Sequence, residues 1–281
     1  NYNTVVGDEA GTAITTGDNN VALGYNSLAS EDTGSANTAI GRYALSALNN
    51  DAISYNTAVG FSAGAAVTTG VRNTLIGGIA GDALTDADDN VVLGYQALST
   101  DTLGSRTIAI GKGALTTQNF TSATDTYNTA MGYNAGNQVT TGVQNTFVGG
   151  LAGDATDDGA YNTAVGQEAL SANCGDKNTS VGAVTLVVCT GAGNTVVGYA
   201  AGFGVTSGSN NLFIGEDSGR TGSPGGNITT GSNAIVLGDE NIGDAHIQVD
   251  WTVASDARDK TDFTALDLGL DFVNALAPVT Y

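Results

Sequence analysis

The chain has 281 residues, including 41 glycines, and its 28 acidic residues against eight Lys and Arg give a formal charge of -20. This composition excludes collagen, a coiled coil and a disulfide-framework mini-protein, and it disfavours a nucleic-acid partner, which needs clustered Lys and Arg. Neither a run of about 18 apolar residues nor a signal-peptide pattern is visible, so we expect no membrane insertion.

The chain is a tandem repeat whose units are variants of Asn-Thr-x-aliphatic-Gly, between residues 3 and 238. We call each repeat a rung; most rungs are 17 residues long, as from Gly7 to Gly24. Asn stands four residues before the glycine in every rung except those with Thr107 and Ala234. The residue directly before the glycine is always apolar, which predicts a core column. The marker glycines are Gly7, Gly24, Gly41, Gly60, Gly77, Gly94, Gly111, Gly132, Gly149, Gly166, Gly182, Gly198, Gly215 and Gly238.

Two kinds of rung occur along the chain, in pairs from Gly24 onward. After the marker glycine, some rungs read Ala-Gly followed by a Thr-rich run, as in "AGAAVTTG", and others read Ala-Leu or Ser-Leu, as in "QALST". The segment "NTAVGFSAGAAVTTGVRNTLIGGIAGDA" returns as "NTAMGYNAGNQVTTGVQNTFVGGLAGDA". A block of four rungs has therefore been duplicated.

This period predicts an all-β protein, a parallel β-solenoid with two short strands in each rung. Strands favour Val, Ile and Thr, whereas corners favour residues that tolerate positive φ, such as Gly, Asn and Asp. A single rung buries too few side chains to offset the entropy of ordering its backbone. Stacked rungs share a continuous core, and their Asn and Thr columns can hydrogen-bond from rung to rung.

The rungs look too thin to enclose a core of ordinary width within one chain. Alanine recurs two residues before the marker glycine, as in Ala22, Ala39 and Ala58. Such small residues predict the close approach of another chain, and closed symmetry would cover apolar faces that a single rod exposes. We therefore expect a homotrimer around a threefold axis.

The rungs "NTAVG", "NTAMG" and "NTLIG", followed by "YNAG" or "YQAL", resemble the head repeats of YadA-like trimeric autotransporter adhesins. The same type of repeat occurs in bacteriophage tail fibres. The resemblance covers about residues 3–238 and implies a left-handed parallel β-roll in an intertwined homotrimer. On this basis residues 1–218 form a repeat shaft, and residues 219–254 form the last rung and a distal tip.

Residues 255–281 break the repeat and become richer in charge. Apolar residues recur there at helical spacing before Pro278, which predicts a short C-terminal helical segment. The pattern Ser-Asp-x-Arg-x-Lys-x-Asp, followed by "L.P..Y", resembles the start of the intramolecular chaperone domain of endosialidase-type phage tail spikes and fibres. The apolar residues are Leu266, Leu270, Val273 and Leu276.

That resemblance implies a domain that drives trimer assembly and then cleaves itself off between Ser255 and Asp256. Ser255 would be the nucleophile and Lys260 its base. Lys260 must be neutral to act as a base, so burial or a neighbouring cation such as Arg258 must lower its pKa. The chain covers only the beginning of such a domain, and an ordinary solvated helix start is the alternative for Ser255 and Lys260. We expect no external substrate and no cofactor.

Other candidate sites have weaker support. His246 is the only histidine, and three copies on a trimer axis could bind a metal, although a structural role is the alternative. Cys174 and Cys189 fall on adjacent rungs and are either bridged or two small buried thiols. Two matching acidic loops could hold calcium or be solvated turns; they contain Asp86, Asp88 and Asp89, and Asp154, Asp157 and Asp158.

Three classes of function remain open. The first is a phage tail fibre in the virion, bound to other tail proteins, whose tip contacts a host glycan or outer-membrane protein. The second is a trimeric adhesin of the bacterial cell surface. The third, a glycan-cleaving tailspike, requires a pair of placed carboxylates in a groove. Tyr199 and Trp251 could stack on sugar rings, and a core or surface role is equally compatible with the sequence.

Overall fold

The computed structural model of the chain describes residues 2–246. The chain divides into two compact units, Asn1–Ile242 and Gly243–Tyr281. All described strands lie in the first unit, and residues 243–246 of the second have no regular element. No helix occurs within residues 2–246. The all-β parallel solenoid predicted from the sequence is confirmed; the predicted helix around Leu266 lies outside the described residues.

Fourteen of the sixteen described strands form one parallel sheet, with one strand from each rung in chain order. The pairing aligns Thr4 with Val21 and Val6 with Leu23, as the repeat alignment requires. The two remaining strands, β7 and β9, pair beside the main sheet. The strands are β1 (Thr4–Val6), β2 (Val21–Leu23), β3 (Thr38–Ile40), β4 (Thr57–Val59), β5 (Thr74–Ile76), β6 (Val91–Leu93), β7 (Gly104–Ser105), β8 (Ile108–Ile110), β9 (Thr124–Asp125), β10 (Thr129–Met131), β11 (Thr146–Val148), β12 (Thr163–Val165), β13 (Thr179–Val181), β14 (Thr195–Val197), β15 (Leu212–Ile214) and β16 (Ile235–Leu237).

The marker glycine ends the strand and forms the first corner of each rung. At Gly60, φ is +143°, a conformation that side chains with a Cβ rarely adopt. A Cβ at Gly60 would lie 2.4 Å from the carbonyl oxygen of Gly77 in the next rung. The glycine column therefore exists because the corner backbones of adjacent rungs are in direct contact.

The prediction of the core column was wrong by one residue. The apolar residue directly before the marker glycine faces outward, and nine of these side chains are 36–57% exposed. The core column is the position two residues before the glycine, which includes Ala22, Leu75 and Phe147, all fully buried. Successive side chains of a strand point to opposite faces, so a three-residue strand buries its middle residue. The outward residues are Val6, Leu23, Ile76, Leu93, Met131, Val165, Val197, Ile214 and Leu237.

The alanines of that column also do not mark the approach of a second chain. Ala22, Ala39 and Ala58 are fully buried within their own chain. Buried leucines, valines and phenylalanines complete a continuous core along the solenoid, so the rung is wide enough to enclose a core. These alanines are therefore not available for contact with a second chain.

The two kinds of rung are two ways of filling the same core. In Ala-Leu rungs, a leucine such as Leu98 enters the core four residues after the marker glycine, with φ of +48°. In Ala-Gly rungs, glycine occupies that position and leaves room for a larger side chain of the core column. A Cβ at Gly153 would lie 2.5 Å from Cδ1 of Phe147, and a Cβ at Gly64 would lie 2.5 Å from Cδ1 of Leu75. Leu75 and Phe147 fit because glycine stands at this position, whereas other Ala-Gly rungs carry alanine in the core column, as at Ala58 and Ala130.

The Thr-rich run does not form the predicted second strand; it consists of bends and turns. Its threonines contribute through their hydroxyl groups instead. Thr85 Oγ1 donates a hydrogen bond to the carbonyl of Thr102 in the next rung, at 3.1 Å, and Thr68 Oγ1 bonds the carbonyl of Thr85 at 3.3 Å. Threonine recurs in this run because the hydroxyl links successive rungs without a regular strand.

The predicted asparagine column forms a buried hydrogen-bond ladder. The backbone N–H of Asn37 donates to Oδ1 of Asn20 at 2.9 Å, and Nδ2 of Asn20 donates to the carbonyl of Gly34 at 2.9 Å. The arrangement recurs at Asn145, whose N–H donates to Oδ1 of Asn128 at 2.9 Å. Each amide therefore satisfies backbone groups that would otherwise be buried without partners.

The ladder is interrupted at Thr107, where the next rung is longer and adds β9. Gln118, which is fully buried, bridges the gap. Its Nε2 donates to Asp101 Oδ2 at 2.6 Å and to Thr107 Oγ1 at 3.2 Å, and its Oε1 accepts a hydrogen bond from Asn128 Nδ2 at 2.8 Å. This side chain allows a lengthened rung to be inserted without leaving the ladder unsatisfied.

Candidate functional site

The largest unexplained feature of the solenoid is the outward face of its main sheet. The aliphatic column before the marker glycines runs along all fourteen strands, and none of its members is buried. A second outward column, at the first residue of each strand, is Thr in nine of the fourteen strands and Val, Ile or Leu in the other five, so the first column supplies most of the apolar surface. Monomeric soluble proteins rarely expose a contiguous apolar surface of this extent, which typically marks an interaction site. We call these two columns the outward face.

Aromatic and charged side chains lie at the corners next to this face. The guanidinium carbon of Arg42 lies 4.5 Å from the ring centroid of Tyr43, whose ring contacts Tyr25 edge to face at 5.5 Å. Arg72 Nη2 donates to Asp89 Oδ2 at 3.0 Å, and this partner lowers the pKa of Asp89. An apolar centre with a polar and aromatic border is typical of a protein interface.

The loop between β15 and β16 is the longest connection near the end of the solenoid, and it falls in the segment assigned to the tip. Ser223 is almost fully buried and holds this loop in place. Its Oγ accepts a hydrogen bond from the N–H of Gly219 at 3.1 Å and donates to the carbonyl of Arg220 at 2.8 Å. The N–H of Ile228 also donates to the carbonyl of Gly219, at 3.0 Å. These hydrogen bonds therefore hold the two ends of the loop against each other.

The two acidic loops are engaged in contacts within the chain. The side chain of Asp88 accepts a hydrogen bond from the N–H of Val71 at 2.8 Å, and Asp157 accepts one from Thr140. Within residues 2–246, no group of three or more His, Cys, Asp or Glu side chains is placed to hold a metal ion. Asp86 and Asp158 are exposed, and Asp86 accepts a hydrogen bond from Thr69 Oγ1 at 2.6 Å.

Two further acidic residues occupy equivalent positions in the duplicated block. Asp82 and Asp154 each have one buried carboxylate oxygen without a hydrogen-bond partner. Burial raises the pKa of both carboxyl groups. Asp82 and Asp154 lie in separate copies of the block, so they do not form one site together. Each buried carboxylate instead lowers the stability of the fold.

Cys174 and Cys189 are free, buried thiols. Of the two alternatives left open by the sequence, the structure thus has the unbridged pair. Burial raises the pKa of Cys174 to about 11 and also raises that of Cys189. Thr156 Oγ1 lies 3.3 Å from the sulfur of Cys174. Thiols in such surroundings are poor nucleophiles.

The predicted self-cleavage residues Ser255, Asp256 and Lys260 lie outside the described residues, as does Trp251. His246 lies in an exposed segment without regular structure. Tyr199 is 57% exposed, directly after the marker glycine of its rung. Within residues 2–246 there is no helix that is long and apolar enough to cross a membrane.

Sequence reasoning missed the outward face because it assigned the wrong column to the core. A signal was present: the position two before the marker glycine varies between Ala, Ser, Leu, Val and Phe, and its largest residues, Leu75, Phe147 and Phe213, stand in rungs with a second glycine four residues after the marker glycine. Such compensation in volume is expected of a packed interior. The column before the glycine shows no such compensation. Comparisons of this chain with protein families, with curated proteins and with solved structures found no match.

Proposed function

We propose that this protein is a structural and receptor-binding tail fibre of a bacteriophage, assembled as an intertwined homotrimer of left-handed solenoids. Two observations support the proposal. The first is the resemblance of the repeats, and of the segment from Ser255, to phage fibre sequences. The second, which carries the argument for a multichain rod, is the outward face. It is continuous along fourteen strands and has no partner within the described part of its own chain.

A trimer explains why the outward face is apolar. Each copy would turn its aliphatic column towards the common axis, and closed symmetry would cover the same surface on every chain. The charged and aromatic corners would then lie at the border of the interface, where residues such as Arg42 and Arg72 remain hydrated. The high negative charge keeps the outer surface of such a rod soluble.

The assembly is tested by light scattering after size-exclusion chromatography. We expect the wild-type chain to have three times the mass of one chain. Leu93 lies on the outward face and is not part of the core. Leu93→Glu should therefore leave the fold of each chain intact, place a carboxylate in the trimer interface and yield monomers. Val188→Glu is the matched control, because Val188 is equally exposed but lies outside the sheet, and it should remain trimeric. A monomeric wild type, or equal effects of the two variants, would contradict the proposal.

Receptor binding and self-cleavage need separate tests. Labelled protein should adsorb to cells of a susceptible bacterial strain and block adsorption of the phage; an absence of adsorption to every strain in a broad panel would argue against a fibre.

In a chain that carries the full chaperone domain, Ser255→Ala should leave one uncut band on a denaturing gel. Normal cutting of that variant would remove Ser255 from the mechanism.

The alternative of a bacterial trimeric adhesin shares the solenoid and the outward face. It differs in what should follow the repeats, since an adhesin ends in a coiled coil and a membrane barrel. A glycan-cleaving tailspike is the less favoured alternative, and it would release reducing sugars from host polysaccharide.

A further inference from the structure

A cleft opens between the solenoid and the loop that follows β15. It has a volume of about 490 Å³ and receives side chains from three successive rungs. Phe203 comes from the rung of β14, Asp217 and Arg220 from the rung of β15, and Glu240 from the corner after β16. Thr221 and Asn227 of the loop complete the wall. From these groups we infer that the cleft binds one or two units of a neutral glycan; the inference rests on the proposed receptor-binding function and specifies its ligand class.

One wall of the cleft carries an aromatic ring with a cation over it. Phe203 is 40% exposed, and the guanidinium carbon of Arg220 lies 5.0 Å from its ring centroid. Arg220 Nη1 also forms an ion pair with Asp217. The guanidinium is thus fixed by two contacts and covers one face of the Phe203 ring, and the part of the ring that remains exposed is apolar. The C–H face of a sugar ring packs well against such a surface, because the aromatic face is electron-rich.

The polar groups around the ring suit pairs of sugar hydroxyl groups. Ionised Asp217 and Glu240 only accept hydrogen bonds, Arg220 only donates them, and Thr221 and Asn227 can do both. Vicinal hydroxyl groups each offer one donor and further acceptor sites, so they match a mixed set of this kind. A volume of this size also lies within the range of small-ligand sites, about 300 to 1,000 Å³.

The charge of the cleft favours a neutral ligand. Two carboxylates outnumber the single guanidinium, and Asp217 already neutralises Arg220, which leaves Glu240 as an unpaired negative charge. The whole chain is also strongly acidic. A sialylated or phosphorylated sugar would therefore be repelled, whereas neutral hexoses and N-acetylhexosamines would not.

The cleft is formed before any ligand arrives. Gly204 and Gly222 keep it open: a Cβ at Gly204 would lie 2.7 Å from Asn227 Oδ1, and one at Gly222 would lie 2.7 Å from Glu240 Oε2. Ser223 holds the loop in this shape through its hydrogen bonds to Gly219 and Arg220. A preformed site spends little binding free energy on ordering its loop.

The test is an array of neutral oligosaccharides of hexoses and N-acetylhexosamines, each paired with its sialylated form. Wild-type protein should bind at least one neutral member more tightly than its sialylated partner. Phe203→Ala and Glu240→Gln should each weaken that binding at least about tenfold. The matched controls are Phe61→Ala, whose ring also lies near an arginine, and Glu216→Gln, an exposed carboxylate outside the cleft; both should bind as wild type. Thermal melts establish that the variants are folded.

Three outcomes would overturn the inference: no binding to any neutral member, a preference for the sialylated forms, or equal losses in cleft and control variants. Adsorption to bacterial cells separates this failure from failure of the fibre proposal. If wild type and Phe203→Ala adsorb equally, the cleft is not the receptor site although the fibre proposal stands. If the array shows cleft-dependent binding but no strain adsorbs the protein, the cleft assignment stands and the fibre proposal fails.

Discussion

The contact between marker glycines makes a sharp prediction at the adjacent pair Gly149 and Gly150. Gly149 has φ of +140°, and a Cβ there would lie 2.4 Å from the carbonyl oxygen of Gly166. Gly150 lies outside the positive-φ region, and a Cβ there would meet nothing within 4 Å. Gly149→Ala should therefore destabilise the solenoid, whereas Gly150→Ala should not.

The magnitude follows from two costs at Gly149. Forcing alanine into that backbone region costs on the order of 1 to 3 kcal/mol. The methyl group must also push the next rung away, which lengthens the hydrogen bonds between strands, so we expect a total of at least about 3 kcal/mol. Gly150→Ala reduces the conformational freedom of the unfolded chain and meets no obstacle in the folded one. It should therefore leave the free energy of unfolding unchanged or raise it by about 0.4 to 1 kcal/mol.

Urea unfolding followed by circular dichroism measures the difference, with wild type and both variants at the same protein concentration. Hydrogen exchange should show the loss of protection centred on β11 and β12, because each rung contacts only its neighbours. Equal unfolding midpoints for the two variants would refute the claim that adjacent corners are in contact.

Three further predictions concern buried polar groups. Gln118→Leu keeps the volume but leaves Asp101 short of a partner, and it should cost about 3 kcal/mol or more in urea unfolding; exposed Gln138→Leu is the control, and a cost shared by both would contradict the bridging role. The double variant Asp82→Asn, Asp154→Asn should be more stable than wild type at pH 7, by less than about 1 kcal/mol. Burial raises the pKa of both carboxyl groups in the folded protein, so wild-type stability falls as pH rises through that pKa. The stability advantage of the double variant should therefore vanish below the ordinary aspartate pKa of about 3.9. An equal advantage at pH 3 would exclude burial of the charged carboxylates as its cause. Cys174 and Cys189 should resist a thiol reagent at pH 8 in the folded protein and react in denaturant, and rapid reaction of the folded protein would show that the rungs open there.

Much of the fold was predictable because the same residue preference recurs at the same position of every rung, and stacked rungs bring these positions into line. Each column of the alignment became a column in space, as the pairing of Thr4 with Val21 illustrates. The asparagine ladder was predictable for the same reason. The bridging role of Gln118 was not, since it depends on a lengthened rung that brings Gln118 and Asn128 together across ten residues.

The candidate sites were less predictable. The cleft is built from Phe203, Arg220 and Glu240, which belong to no motif and meet only because three rungs stack. The outward face was misassigned, since apolar residues that point outward and apolar residues that point into the core look the same in a sequence. Solvent exposure distinguishes the outward residues from the core residues, and it is known only once the chain is folded.

The sequence by itself determined the period, the register and the corner glycines, because these follow from spacing and from the φ values that each residue tolerates. Only the tertiary structure decided which side of each three-residue strand is the interior. The physical reason is that either face of so short a strand can be apolar, and the choice is made by the side chains that close each rung, such as Leu98 or the space left by Gly153. These positions follow the corner glycine, and Gly153 becomes a neighbour of Phe147 only when the chain has turned at that corner.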